Sequence, residues 1–313
     1  MTDSPNTSPP LLVIVGPTAV GKSGLALHLA SRFMGEVINA DSRQVYRGME
    51  IGTAAPSEAN RAIVPHHLYG VADPTDGFSL AQFMPMATQA IQDIHGNNRL
   101  PILVGGTGQY INALVHGWQT PRVPPNPELR ERLEALANHE GVEVVFAQLQ
   151  SIDPAAAERV DRRNLRRVIR AIEVAEATGA PPDEARQLTP PYNTFILGLT
   201  TPSRADLHQR IDERVDAMVA GEWLDEVGTL LNKGYSAELP ALSSMGYREL
   251  AQHLAGELPL EEAVRLIKVA HHRLARHQYT WFKATDPRIH WLAIGEECGT
   301  KAETAVQEWL GEQ

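Results

Sequence analysis

Eight residues, Gly16-Pro17-Thr18-Ala19-Val20-Gly21-Lys22-Ser23, match the spacing G-x-x-x-x-G-K-[ST]. That spacing suits an anion. Glycines let backbone N–H groups converge, a following helix N-terminus adds partial positive charge, Lys22 reaches a terminal phosphate and the Ser23 hydroxyl takes Mg²⁺. The pattern specifies a diphosphate or a triphosphate, not a nucleotide. The plain alternative is a glycine turn between strand and helix. Asp41-Ser42-Arg43-Gln44 and Gly105-Gly106-Thr107-Gly108 each follow an apolar run. In a parallel sheet, loops at strand carboxyl ends line one crevice, so both groups share an edge with the glycine loop. Asp41 is then a general base, a metal ligand or the N-cap of a following helix. Thr107 either aims its hydroxyl into the crevice, its glycines admitting a ligand closely, or sits in an ordinary glycine-rich turn.

Arginine is concentrated elsewhere. Six of the twelve residues from Arg159 to Arg170 are arginine. Arg159, Arg163, Arg166 and Arg170 recur at three- and four-residue steps, which places them on one face if the stretch is a single helix. Leu165, Val168, Ile169 and Ile172 supply its apolar side. Such a face grips phosphates bidentately, or is a solvated face paired to Glu158, Asp161 and Glu173. Arg210 and Arg214 stand four residues apart and either complete a diphosphate pocket or pair with Asp206, Asp212 and Glu213. The adjacent pairs His66-His67 and His271-His272 do not share a helical face, and no H-E-x-x-H occurs, which disfavours a histidine metal site.

These residues need a scaffold. Leu11 to Val15, Glu36 to Ala40 and Leu100 to Val104 read as short buried strands. Helical periodicity fills the intervals at Ser23 to Phe33, Ser79 to His95 and Gln109 to His116. Alternation of this kind predicts an α/β fold, a parallel sheet flanked by helices. Four prolines between Gln119 and Pro127 mark a linker, and Glu128 to Thr178 is helix-rich without a buried strand. Pro181-Pro182 and Pro190-Pro191 close that region. Strand character returns at Phe195 to Leu199 and again at Ile289 to Ile294, with helices at Arg204 to Ala220, Glu222 to Asn232 and Leu260 to Lys283. The expected organisation is a disordered leader over 1–10, an α/β core over 11–119 and 191–313, and an all-helical insertion over 120–190.

Composition narrows the class. The chain has 313 residues, 43% hydrophobic and 21% charged, with a formal charge of −10. Of the acidic excess, residues 201–313 hold much, with 12 Lys/Arg against 18 Asp/Glu. No apolar run approaches the ~20 residues needed to cross a bilayer. The single cysteine, Cys298, excludes a disulfide framework and a cysteine zinc site, and makes the cytoplasm the expected compartment.

Seven blocks in order carry a specific resemblance: GPTAVGKS (16–23), NADSRQVYRGMEIGT (39–53), His66-His67-Leu68, GGTGQY (105–110), NLRRVIRAIEV (164–174), SMGYRE (244–249) and RHQYTWF (276–282). Together they resemble the bacterial tRNA dimethylallyltransferases, the tRNA isopentenyltransferase family, over about residues 11–294. The resemblance implies a P-loop kinase-like core with a helical tRNA-binding insertion. It implies transfer of a dimethylallyl group from dimethylallyl diphosphate to the exocyclic N6 amine of an adenosine, with Mg²⁺ assisting. That adenosine lies immediately 3′ of the anticodon, in tRNAs reading codons that begin with U. Gly16 to Ser23 would hold the diphosphate with Arg210 or Arg214, and Lys22 would stabilise its departure. Asp41 would be the base, and Thr107 would contact the reacting adenine. Ser42, Arg43 and Gln44 would touch neighbouring nucleotides, and Arg163, Arg166, Arg167 and Arg170 would grip the anticodon stem. A monomer is expected. Where the family shows paired Arg-Gln steps, this chain has His272-Arg273 and His277-Gln278.

Two rival classes remain on residues alone. In a nucleotide-dependent P-loop kinase, Asp41 serves metal or acceptor binding and the arginines of 159–170 form a phosphate lid. In a tRNA-binding module the loop is vestigial. The Asp41-Ser42-x-Gln44 block discriminates against the first, and intact Lys22, Ser23, Asp41 and Thr107 against the second.

Overall fold

A computed structural model describes residues 8–118, 123–178 and 190–312. Residues 1–7 of the expected leader, 119–122 of the expected linker and Pro181-Pro182 lie outside the described residues. Two compact units emerge. The first takes its described residues from 8–116 and 190–312, the second from 117–178.

The first unit is built on a six-stranded, all-parallel sheet. Its strands are β1 (Pro10–Val15), β2 (Gly35–Asn39), β3 (His66–His67), β4 (Leu100–Val104), β5 (Asn193–Thr200) and β6 (Ile289–Ala293), in spatial order β3-β2-β4-β1-β5-β6. Every residue of β2 and β4 is buried, and all of β1 beyond Pro10. This is why they read as unbroken apolar runs rather than alternating ones. The sheet begins at the residue where the leader was expected to end, one before the expected start of the core: Pro10 is in register with Asn193, and the Pro9 carbonyl accepts the Asn193 N–H at 3.0 Å.

Helices cover both faces: α1 (Lys22–Arg32), α2 (Glu58–Ile63), α3 (Leu80–Gly96) and α4 (Gly108–Val115) in the first half of the chain. Leu12, Ile14, Leu29 and Ile102 share one apolar cluster, and Leu11, Val13, Phe83 and Ile91 another on the opposite face.

The second unit holds α5 (Pro127–Glu140), α6 (Val142–Ile152), α7 (Pro154–Arg159) and α8 (Leu165–Thr178). Leu133, Val145, Leu149, Val168 and Ile172 form its own core. Here the arginine stretch departs from expectation. It is not one helix, because α7 ends at Arg159 and α8 starts at Leu165. Asp161 and Asn164 break it. The Asp161 carboxylate accepts the Arg163 N–H at 3.0 Å and the Asn164 side chain accepts the Arg167 N–H at 3.2 Å. Short polar side chains bonding their own backbone favour turns and caps over helix interiors, so periodicity was overridden locally.

The first unit is completed by α9 (Arg204–Ala220), α10 (Trp223–Asn232), α11 (Tyr247–Leu254), α12 (Leu260–Trp281) and α13 (Cys298–Gly311). α9 and α12 pack together and bring residues distant in sequence to the sheet's carboxyl edge.

Candidate active site

The phosphate loop joins β1 to α1. Gly16 has φ +138°, and a Cβ there would overlap the Leu199 carbonyl of β5, so only glycine passes this strand. Gly21 caps α1 with φ +99°. Ala19 also has positive φ, 63°, and its carbonyl accepts from Arg210 Nε at 3.1 Å. A non-glycine residue held in that region is costly, and the α9 guanidinium fixes it there. Lys22 Nζ donates to the Pro17 carbonyl at 2.8 Å. Removal from water pulls the Lys22 ammonium down from 10.5 to about 8, against the pull of Asp41, while Arg214 adds to the depression. Burial also lowers the Arg214 guanidinium, opposed by Asp41.

Asp41 stands at the end of β2 and is placed by Asn39. The wholly buried Asn39 side chain accepts the Asp41 N–H at 2.8 Å and donates to the Asp41 and Leu68 carbonyls at 3.1 and 3.0 Å. Turns rather than a helix follow Asp41, so it is not a helix cap. Its Oδ1 accepts the Arg43 N–H at 2.9 Å. Thr107 braces this turn from α4's N-cap, its hydroxyl accepting from Ser42 N at 2.9 Å and donating to Ser42 Oγ at 3.3 Å. Arg43 donates to the Pro240 carbonyl at 3.0 Å and Gln44 Nε2 to the Thr53 and Ala54 carbonyls at 2.9 and 3.1 Å.

These groups converge. A cavity of about 520 Å³ is lined by Thr18, Ala19, Lys22, Ser23, Asp41, Gln44, Arg210 and Arg214. Glu213 lines it as well, so two carboxylates face an ammonium and two guanidiniums, a cationic excess of one that suits an anion beside a carboxylate. Ser42, Arg43 and Thr107 support the cavity through the bonds above. Arg163, Arg166, Arg167 and Arg170 belong to the helical unit. Of these, Arg170 is committed within its own unit: it donates to buried Glu173 and to the Val123 carbonyl, both at 2.9 Å. Arg163, Arg166 and Arg167 are exposed.

Of the glycines around Thr107, Gly105 lines the cavity, while Gly106 and Gly108 make room for another element. A Cβ at Gly106 would overlap the Gln278 side chain, and one at Gly108 would overlap Trp281. They admit α12. The sequence marked Gln278 only within the His277-Gln278 departure, with no role attached, and did not mark Glu226, which accepts the Ile51 and Gly52 N–H groups at 2.7 and 3.0 Å and the Tyr247 hydroxyl at 2.6 Å. Glu226 thereby holds the loop whose Thr53 and Ala54 carbonyls receive Gln44. Both residues lie far from the motifs they serve, and only the RHQYTWF block hinted at either. The histidine pairs each have neighbours of their own. His67 Nε2 lies 2.6 Å from Glu36, His272 Nε2 lies 2.9 Å from Asp212, and His66 and His271 meet backbone carbonyls.

The family model for IPP transferase matches residues 44–285. A tRNA dimethylallyltransferase of Roseiflexus sp. (strain RS-1) is 49% identical over 302 residues, covering 96% of this chain and 99% of the relative. That of Thermomicrobium roseum is 48% identical, covering 92% and 88%. Among solved structures, the full-length tRNA isopentenylpyrophosphate transferase of Bacillus halodurans is 39% identical with a TM-score of 0.71, covering 96% and 97%. A eukaryotic dimethylallyltransferase acting on tRNA superposes with a TM-score of 0.85 at 26% identity, covering 98% of this chain and 80% of that one. With the phosphate loop, the Asp41 turn and the α9 arginines in one cavity, and with these similarities spanning nearly its whole length, the chain belongs to the IPP transferase family, the tRNA dimethylallyltransferases.

Proposed function

We propose that this chain transfers the dimethylallyl group of dimethylallyl diphosphate to the N6 amine of an adenosine in tRNA, the one immediately 3′ of the anticodon in tRNAs reading codons that begin with U. The amine nitrogen bonds to the allylic carbon, the carbon–oxygen bond breaks, diphosphate departs and the amine proton goes to Asp41. The observation that carries this reading is the single cavity in which a phosphate loop and a strand-end carboxylate face each other. The loop amides and Lys22 receive the charge that grows on the leaving diphosphate. Fixed donors aimed at developing charge are a large source of rate enhancement. Arg214 is the better candidate for contacting the diphosphate, since Arg210 is already spent on the Ala19 carbonyl.

Mg²⁺ fits the donor set. The Ser23 hydroxyl lines the cavity opposite Asp41, and Mg²⁺ takes one or two protein oxygens together with phosphate oxygens and water. When bound to Ser23 and the diphosphate it would neutralise leaving-group charge.

A base inside a stacked anticodon loop must be extruded to reach this cavity. The helical unit supports that reading through exposed Arg163, Arg166 and Arg167, which suit a grip on backbone phosphates by charge and shape. Incubation of purified protein with Mg²⁺, radiolabelled dimethylallyl diphosphate and unmodified tRNA, with ATP omitted, tests the proposal. Label in the adenosine beside the anticodon supports it. Absence of label, with ATP bound instead at micromolar concentration, favours a kinase.

A further inference from the structure

Gln278 is 4% exposed, in the last turns of α12. Its Oε1 accepts the Thr18 N–H at 2.7 Å and its Nε2 donates to the Gly106 carbonyl at 3.2 Å. Those two partners belong to different loops. Thr18 is in the phosphate loop, and Gly106 immediately precedes the threonine that braces Asp41-Ser42. Trp281, one helical turn on, occupies the space opened by Gly108. One side-chain amide therefore spans the loop for the leaving group and the loop behind the base.

We infer that Gln278 is a positioning residue, setting the spacing between the diphosphate loop and the Asp41-Thr107 side of the cavity through its paired acceptor and donor. The inference rests on the transfer activity proposed above. Three features support it. A half-buried N–H and a buried carbonyl both take partners here, and a primary amide offers an acceptor and a donor at once without titrating. The Thr18 N–H, part of the loop sequence suited to phosphate, points at Gln278 Oε1. And the glycine at 106 leaves room for the amide where a side chain would collide. Near-attack geometry tolerates little error, with misplacements of about 1 Å costing about 10²-fold in rate. Loss of the tie should accordingly appear in the chemical step more than in the binding of either substrate.

The test uses full-length protein and two variants. Gln278→Met removes both bonds at similar volume. Gln278→Glu keeps an acceptor for Thr18 but, while ionised, has nothing to donate to Gly106. Protonation restores the donor, and burial raises the carboxyl's affinity for a proton. The expected results are a kcat about 10- to 100-fold below wild type for Gln278→Met, with Kd values for dimethylallyl diphosphate and for tRNA each within about threefold. For Gln278→Glu, the ratio of its kcat to that of wild type should rise as pH falls from 8 to 6. A purely space-filling role predicts near wild-type kcat for both variants and a flat ratio, and either result overturns the inference. Thermal melts accompany the kinetics, and collapse of both folds would make Gln278 a core residue and overturn it as well. Wild-type protein run in parallel separates the two claims. No transfer by wild type ends the functional reading and this inference with it, whereas normal transfer with unaffected variants ends this inference alone.

Discussion

The phosphate-loop cavity and the arginine stretch of the helical unit are both rich in cations, yet the structure treats those cations in opposite ways. In the cavity Lys22 and Arg214 are drawn in from water, and Arg210, though exposed, is tied to the loop. Lys22 bonds the Pro17 carbonyl, Arg210 bonds the Ala19 carbonyl, and burial depresses both Lys22 and Arg214. In the arginine stretch Arg162, Arg163, Arg166 and Arg167 are exposed, whereas Arg170 is drawn into an ion pair with buried Glu173. Immobile, partly desolvated charge suits a transition state, where a small displacement is expensive. Exposed arginine suits a backbone recognised by charge and shape, where adaptability costs little.

The contrast makes graded predictions. The largest effect belongs to Asp41→Asn, which should cut turnover by about 10²–10⁴-fold while tRNA affinity measured by filter binding stays within about threefold. A comparable loss of affinity would make Asp41 a binding group. Next, Arg214→Ala should raise the KM for dimethylallyl diphosphate and lower kcat together by about 10- to 100-fold. Arg210→Ala should act more weakly, through relaxation of the loop at Ala19. Equal effects in steady-state kinetics would erase the distinction drawn between them.

A third prediction concerns stability. Burial tends to raise the Glu173 carboxyl. Arg130, which bonds it at 2.7 and 2.9 Å, the Asn126 N–H and Arg170 outweigh that and hold it at about 2, below its ordinary 4.5. A depressed carboxyl stabilises the fold above its unfolded value and loses that contribution as pH falls. Stability should therefore decline between about 4.5 and 2. Glu173→Gln should destabilise the helical unit by about 2 kcal/mol or more, flattening that acid limb in a chemical denaturation series. An unaltered limb would contradict the assignment. The smallest effect is reserved for the exposed arginines. Arg166→Ala with Arg167→Ala should weaken tRNA binding and reduce the slope of log K against log salt by about 1–2, with kcat at saturating tRNA unchanged. Arg170→Ala, by contrast, should show up as lost stability rather than as an altered slope.

The parts of this architecture readable in advance were those governed by local rules. Short buried strands announced a parallel sheet because both faces are covered, and the G-x-x-x-x-G-K-[ST] spacing located the loop that lines the cavity because its geometry is built from consecutive residues. The α9 arginines were placed on one face by simple helical spacing. What escaped was the work of distant partners. Nothing in Gly106 or Gly108 reveals that α12, some 170 residues later, fills the space they leave. Gln278 looks like any polar residue on an amphipathic helix until Thr18 and Gly106 are seen on either side of it. The single arginine face over 159–170 failed for a local reason, because Asp161 and Asn164 bond their own backbone and end one helix before another starts.

The central claim is that the loop at Gly16 to Ser23 holds the diphosphate of an allylic donor beside Lys22. Lys22 has its ammonium pulled down to about 8, so it gives up its proton across the mildly alkaline range. A diphosphate seated beside it favours the charged form and draws a proton from solution. Calorimetric titration of dimethylallyl diphosphate at pH 8.5, in two buffers of different ionisation enthalpy, reads that proton directly. The account predicts net proton uptake on binding in wild type, lost along with much of the affinity in Lys22→Met. Tight binding without uptake, unchanged in Lys22→Met, would place the diphosphate elsewhere and contradict it.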